Sequence, residues 1–467
     1  MLRATYFITR RFEGFTMKLQ AQNYSKAVRD QYEDYPYPLR NPEDERNRLL
    51  TTSSAQLDAA TTYGFGGRLD LSKPFNVLVA GGGTGDGVIF LGEQLRPFPY
   101  AKITYLDISQ ASMEIAKKRA EIRGLTNIAW AHGSILDVGK LPIPPFDFIE
   151  CTGVLHHMES PLNGLKALAA VLKPEGAMAV MLYGKYGRAG VYMMQEAMRQ
   201  FAPLDAKPQQ QVELCKRLIE TVNGKNTPII NAMKAAKQEI DDNKDVAIYD
   251  LFLHSQDVSY TVSEVYALAA SANLTLTSFA GTYGEGGRMV YDPSLYIGDT
   301  QLLREVHTLP LVNQQAIAEV LHGKMTRHAF YLTHRKPADI DIGSDRLIPS
   351  LSIASPADTM DKLSYTIQNS RGVFHIEVPP YGAKVSVNIT PNLGALCAQI
   401  DGKRTLAQIY EAVMVQVPEA TKQSLQQQLV PLLSLLNTLE LMYFRYEGSP
   451  LFSLPESKNA KPRDAKA

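Results

Sequence analysis

The chain has 467 residues, 45% of them apolar and 21% charged, with a single Trp. That is globular composition; it excludes collagen, a coiled-coil rod and end-to-end disorder, and the length suits two or three domains. Lys plus Arg and Asp plus Glu balance at 48 each, so no net field draws the chain to nucleic acid or an anionic membrane. Cys151, Cys215 and Cys397 lie far apart and form neither a metal knuckle nor a disulfide framework, which suits a reducing, cytoplasmic compartment with no metal. No uncharged apolar run approaches the ~18 residues of a membrane span.

In chain order, residues 1–23 carry three arginines before the first acid, Glu13, and lack a signal-peptide apolar core. They are expected to be a disordered or extended leader, with Met17 as the true start. The segment YPYP at 35–38 is stiff and extended, because proline restricts itself and the residue before it. From Phe75 onward, short apolar runs alternate with helical patterns, the mark of βαβ units and a parallel sheet. Strands are predicted at Phe75–Ala80, Lys102–Asp107, Ile128–His132, Phe146–Thr152, Ala177–Tyr183, Leu274–Ala280 and 327–333. A helical insertion is predicted over 187–246 and further helix near 300–322. Residues 337–363 read as a linker with no sustained period. A small α+β domain follows over 364–447. One helix there buries Leu393, Leu396, Cys397 and Ile400, and another buries Leu406, Ile409, Tyr410 and Val413 behind a Thr405–Gln408 capping box. Residues 448–467 are expected to be a disordered tail.

The first predicted strand runs into AGGGTGDG at 80–87, which places Gly81, Gly83 and Gly85 at the carboxyl end of the strand, where open α/β sheets bind ligands. Neither Gly81-x-Gly83-x-x-Asp86 nor Gly83-x-Gly85-x-x-Val88 completes a dinucleotide fingerprint, and the P-loop GK[ST] is missing. The spacing suits a cofactor without a pyrophosphate; a tight structural turn is the competing explanation. Asp107 ends the second strand about 22 positions beyond Gly85. A carboxylate there can accept both ribose hydroxyls, cap the helix starting near Ser109, or do both. Ile108 would wall an adenine, and Ser134 with Ile135 after the third strand would meet its edge.

These features together resemble a class I S-adenosylmethionine-dependent methyltransferase over residues 24–336. The resemblance is nearest to bacterial methyltransferase domains often fused to tetratricopeptide repeats, which are not present in this chain. It rests on YEDYPYP at 32–38, ECTGVLHHM at 150–158 and DLFLHSQD at 250–257. It implies a Rossmann-like seven-stranded sheet with S-adenosylmethionine as cofactor, held by Gly81, Gly83, Gly85, Asp107, Ile108, Ser134, Ile135 and Thr152. Two positions depart from the pattern: Val79 stands where an acid is usual, and Ser134 where Asp is frequent. The resemblance further implies that Thr152, Gly153, Leu155, His156 and His157 face the methyl group. His156 or His157 would take a proton from a hydroxyl, unless they cap or wall the following helix. Tyr35, Tyr37, His254 and Tyr260 would contact the substrate, with plain packing of the N-terminal arm as the alternative, and Arg288 would offer an anion contact at the rim. No Asn-Pro-Pro-Tyr motif follows the fourth strand, so a small-molecule or peptide acceptor is expected.

Residues 364–447 resemble the PqqD type of winged-helix peptide-binding module through NLGALCAQIDGKRTLAQI at 392–409. That implies a peptide or protein partner; a homodimer contact or a domain-packing unit is the plainer alternative. Pro431 departs from the module's pattern, inside its expected last helix. The competing function is a catalytically silent cofactor-binding scaffold that recruits a partner through this module.

Overall fold

A computed structural model describes residues 16–18, 26–143, 145–201, 207–222, 226–356, 358–379 and 383–454. The apolar runs become the strands of one sheet: β1 (Thr16–Lys18), β2 (Phe75–Ala80), β3 (Ala101–Asp107), β4 (Ile128–His132), β5 (Phe146–Thr152), β6 (Leu172–Tyr183), β7 (Thr275–Ala280) and β8 (Arg327–Thr333). Their order is β1-β4-β3-β2-β5-β6-β8-β7. β8 runs antiparallel to both neighbours, while β1 to β6 pair in parallel. The seven expected strands therefore form an α/β, Rossmann-like sheet, and β1 adds a short edge strand inside the predicted leader. The remainder of 1–23 lies outside the described residues. β6 starts at Leu172, ahead of the expected Ala177.

Helices cover both faces because strands buried on both sides need apolar partners on both. Before and between the strands come α1 (Lys26–Asp34), α2 (Leu57–Tyr63), α3 (Asp86–Leu95), α4 (Gln110–Arg123) and α5 (Pro161–Val171). One core joins Val77, Val79, Tyr105 and Phe148 to α2, α3 and α4; the other joins Leu78, Leu106, Ile149 and Val180 to Leu165 and Leu168 of α5. After β6 the insertion forms α6 (Ala189–Phe201), α7 (Pro208–Thr221) and α8 (Thr227–Phe252) around Met194, Met198, Cys215 and Phe252. It extends past the expected limit of 246, because α8 resumes after a break at Lys244, where φ is 55° and ψ −130°. The sheet domain ends with α9 (Val262–Ser271), α10 (Thr300–His307) and α11 (Leu311–His322) around β7 and β8.

The stretch 337–363 is not a bare linker. It contains β9 (Leu347–Leu351) and the start of α12 (Thr359–Gln368). The small domain continues with β10 (Val373–Val378), β11 (Ala383–Asn388), α13 (Leu393–Ala398), α14 (Leu406–Gln416), α15 (Lys422–Thr438) and β12 (Met442–Tyr446). β9 pairs antiparallel with β12, and β10 with β11. The two predicted apolar helix faces are buried in one core, and the Thr405–Gln408 capping box is present. Pro431 sits within α15. The expected tail is ordered at its beginning: the Ser449 hydroxyl accepts from the Leu69 N–H at 3.0 Å, and buried Phe452 packs edge-on against Phe98 at 5.9 Å between ring centres. Residues 455–467 lie outside the described residues.

Candidate active site

The glycine turn after β2 takes backbone conformations that L side chains avoid, with φ of 76° at Gly81, 51° at Gly83 and 107° at Gly85. A Cβ at Gly81 would stand 2.4 Å from Val154, and one at Gly85 2.9 Å from Ala116. Gly81 and Gly83 line a cavity of about 980 Å³, whereas Gly85 caps α3 and lets it pack on α4.

Asp107, at the end of β3, faces this cavity with Ile108, Ser134 and Ile135. One Asp107 oxygen accepts from the Gly83 N–H and the other from the Ser109 N–H, each at 2.8 Å. Burial raises its carboxyl, and these two amides oppose the rise. Each carboxylate oxygen keeps a further lone pair, so capping and ligand binding coexist. Ser134 is largely occupied locally, its Oγ accepting from the Leu136 N–H at 3.2 Å.

A second chamber of about 300 Å³ shares Tyr32, Tyr37, Gly81, Gly83, Gly153 and His157 with the first. Its walls add Thr152, Glu150, Arg188, Glu239 and Asp250. The break in α8 lies between Glu239 and Asp250, and both acids meet tyrosines of the N-terminal arm. Tyr37 donates to Glu239, and Tyr32 donates to Asp250 at 3.1 Å. Burial lifts both carboxyls, Asp250 to about 6. Among the described residues the insertion brings one guanidinium to this wall, Arg188, held over the Tyr183 ring at 3.5 Å and paired with Asp257 at 3.4 Å.

The arm is strapped across the site. Glu33 accepts from the N–H groups of Gln110 and Ala111 at the start of α4. The Thr84 hydroxyl donates to the Pro38 carbonyl at 2.7 Å, and Arg40 pairs with Asp86 at 2.7 Å.

The expected site residues divide accordingly. Gly81, Gly83, Asp107, Ile108, Ser134, Ile135, Thr152, Tyr37 and His157 line one or both cavities. His156 lines neither: it is fully buried, stacked on Tyr183 at 3.8 Å, and neither ring nitrogen has a hydrogen-bond partner among the described residues. His157 is held by the Gln256 carbonyl at 2.9 Å, and burial lowers it to about 4, so it is neutral near pH 7. His254 sits behind the wall, stacked on His157 and within 3.2 Å of the Tyr32 hydroxyl. Tyr35 is also outside the cavities, stacked on Tyr249 at 5.0 Å. Tyr260 contributes backbone instead, its N–H donating to the Tyr183 carbonyl at 2.8 Å. Arg288 offers no rim contact, because it pairs with buried Glu440 at 3.2 Å between the domains. Sequence reasoning missed Tyr32, Glu150, Glu239 and Asp250, although Tyr32, Glu150 and Asp250 stand inside the quoted motifs.

His157, Asp250 and His254 bring donor atoms within 4.8 Å of one another. The two imidazoles lie face to face, 3.8 Å apart and 20° from parallel, and both Nδ1 atoms bind the Gln256 backbone. In-plane lone pairs of two nearly parallel, stacked rings do not converge on one ion, and both Nδ1 atoms are already taken, so the donor set does not fit a metal.

Residues 78–178 match the family model described as a methyltransferase domain. An uncharacterized protein of Synechococcus sp. is 28% identical over 319 residues, covering 66% of this chain and 71% of that one. The tRNA 5-carboxymethoxyuridine methyltransferase of Escherichia coli (strain K12) is 31% identical over 116 residues, which span 25% of this chain and only 42% of that enzyme. The structure of PKMT2 from Rickettsia typhi superposes with a TM-score of 0.61 at 17% identity, covering 86% of this chain and 77% of that one, and shows the same fold. Residues 78–178 therefore mark a methyltransferase domain with S-adenosylmethionine as its cofactor.

Proposed function

We propose that the chain methylates an amine on a small molecule or peptide. The observation that carries this reading is a pair of neighbouring cavities at the ends of β2 and β5 that share lining residues, one suited to a nucleoside and one lined by tyrosines and carboxylates. In the larger cavity Asp107 would hold the ribose hydroxyls, and Ile108 and Ile135 the adenine faces. The backbone around Ser134 would read the adenine edge, and Gly81 and Gly83 would admit the cofactor close to the main chain. Thr152 and Gly153 would floor the methyl-transfer point. When bound, S-adenosylmethionine supplies an electrophilic methyl group and a good leaving group, so the protein's task is alignment for in-line displacement.

The second chamber favours a cationic acceptor. Asp250 is a buried carboxylate and Glu239 a half-buried one, and the closest partners of both are tyrosine hydroxyls, a setting that draws in an ammonium. The ammonium must lose a proton before its lone pair can attack, and Asp250, with its carboxyl near 6, is suited to take it. Tyr32 ties Asp250 to His254 and keeps the carboxylate aimed. His157, neutral and fixed through Nδ1, leaves Nε2 as a second acceptor. His156 has no chemical role in this scheme.

Residues 364–447 would act as a recruiting module of the PqqD-like kind. The support is the β10–β11 ribbon, whose outer edges pair with no further strand among the described residues and could take up an extended peptide. The test is transfer of labelled methyl from S-adenosylmethionine to a panel of amines, alcohols and carboxylic acids. Labelling of amines, lost on Asp250→Asn, is the expected result; labelling confined to alcohols or acids, or none in any fraction, contradicts it.

A further inference from the structure

S-adenosylmethionine carries an α-ammonium on its methionine end, and a buried cavity accepts such a group only against a carboxylate or an equivalent set of acceptors. The acids around the glycine turn are not equally available. Asp86 is already neutralised by Arg40 and Arg119, each at 2.7 Å. Asp107 lies on the nucleoside side, its oxygens on the Gly83 and Ser109 amides. Glu239 and Asp250 belong to the α8 wall.

Glu150 remains. It stands on β5 in register with Val79 of β2, so both side chains rise on the same sheet face, at the foot of the glycine turn. It is 4% exposed, lines the chamber with Gly81, Gly82, Gly83 and Gly87, and forms no ion pair among the described residues. The Ser54 hydroxyl donates to its Oε1 at 3.1 Å and accepts in turn from the Thr152 hydroxyl at 2.6 Å. A Cβ at Gly87 would stand 3.0 Å from its Oε2, so glycine there leaves that oxygen room. A carboxylate buried without a counter-ion is expensive unless a cation arrives. Resting on the cofactor reading above, we propose that Glu150 is the anchor for the α-ammonium of the cofactor's methionine moiety, oriented by Ser54 and Thr152.

Calorimetry with two ligands separates this role from a structural one. S-adenosylhomocysteine has the amino-acid end, and 5′-methylthioadenosine lacks it. Glu150→Gln is expected to weaken S-adenosylhomocysteine by roughly tenfold or more, the scale of a charge-assisted hydrogen bond, while leaving 5′-methylthioadenosine within about twofold. Unchanged affinity for S-adenosylhomocysteine overturns the assignment, and so does an equal loss for both ligands. Should that variant fail to fold, Ser54→Ala gives the same selective loss in smaller measure, and equal effects on both ligands again overturn it. A wild-type chain that binds neither ligand refutes the cofactor reading itself, a result distinct from the others.

Discussion

Asp107 was legible because a carboxylate at a strand end can accept from the amides of the next turn and still face the cavity, and both follow from its position at the end of β3. The histidines were less legible, since HisHis says nothing about which ring turns inward. His156 turns into the core against Tyr183, and an aromatic without polar atoms suits that place better. His156→Phe is expected to hold or raise the melting temperature and to leave the pH dependence of single-turnover methyl transfer unchanged; a shifted pH profile would return His156 to the chemistry. His157, lowered to about 4, does not titrate in the working range. On the proposed scheme the acid limb is that of Asp250: transfer is expected to rise as pH passes about 6 and its carboxyl ionises, and Asp250→Asn should remove that limb from the pH–rate profile.

At the scale of elements, the strands were readable because buried parallel strands are short continuous apolar runs between turns, as VLVA at 77–80 illustrates. β9 was not, because among the described residues it pairs with β12 alone, and it carries Pro349, so its pattern resembles a loop. Glu239 and Asp250 were hidden by tertiary structure: each meets a tyrosine some two hundred positions earlier in the chain, and the break at Lys244 divides the helix that bears them. The arm bearing those tyrosines covers the larger cavity with Val28, Tyr32 and Tyr37 and is clamped by the Arg40–Asp86 pair, whose side chains are 20% and 19% exposed. Arg40→Ala is expected to speed S-adenosylhomocysteine release by roughly tenfold, the scale of one charge-assisted bond, in stopped-flow displacement. An unchanged off-rate would show that the arm is not the gate.

For the whole molecule, a buried cluster joins the small domain to the sheet domain. Glu440 accepts from Tyr443 at 2.7 Å and Tyr63 at 3.3 Å, and Arg288 lies over the Tyr63 ring at 4.4 Å. Burial lifts Glu440 from 4.5 to about 7 despite Arg288, and Asp58, which binds the Ile353 N–H across the same junction, from 3.8 to about 6. The folded chain thus keeps protons that the unfolded chain has released, so this contribution to stability is complete below about pH 4 and is lost as pH rises through 6 and 7. Glu440→Gln is expected to flatten the fall in melting temperature between pH 5 and about 8; an unaltered slope would assign it to other groups. None of this junction was visible in the sequence, where Arg288 suggested only a loop contact. The central claim is that the cavity beyond β2 and β3 holds a nucleoside through Asp107, and calorimetric titration of S-adenosylhomocysteine into wild type and Asp107→Asn tests it most directly. A loss of roughly ten- to a hundredfold, as for hydrogen bonds to a charged group, is the expected result; equal affinity for both proteins would contradict it.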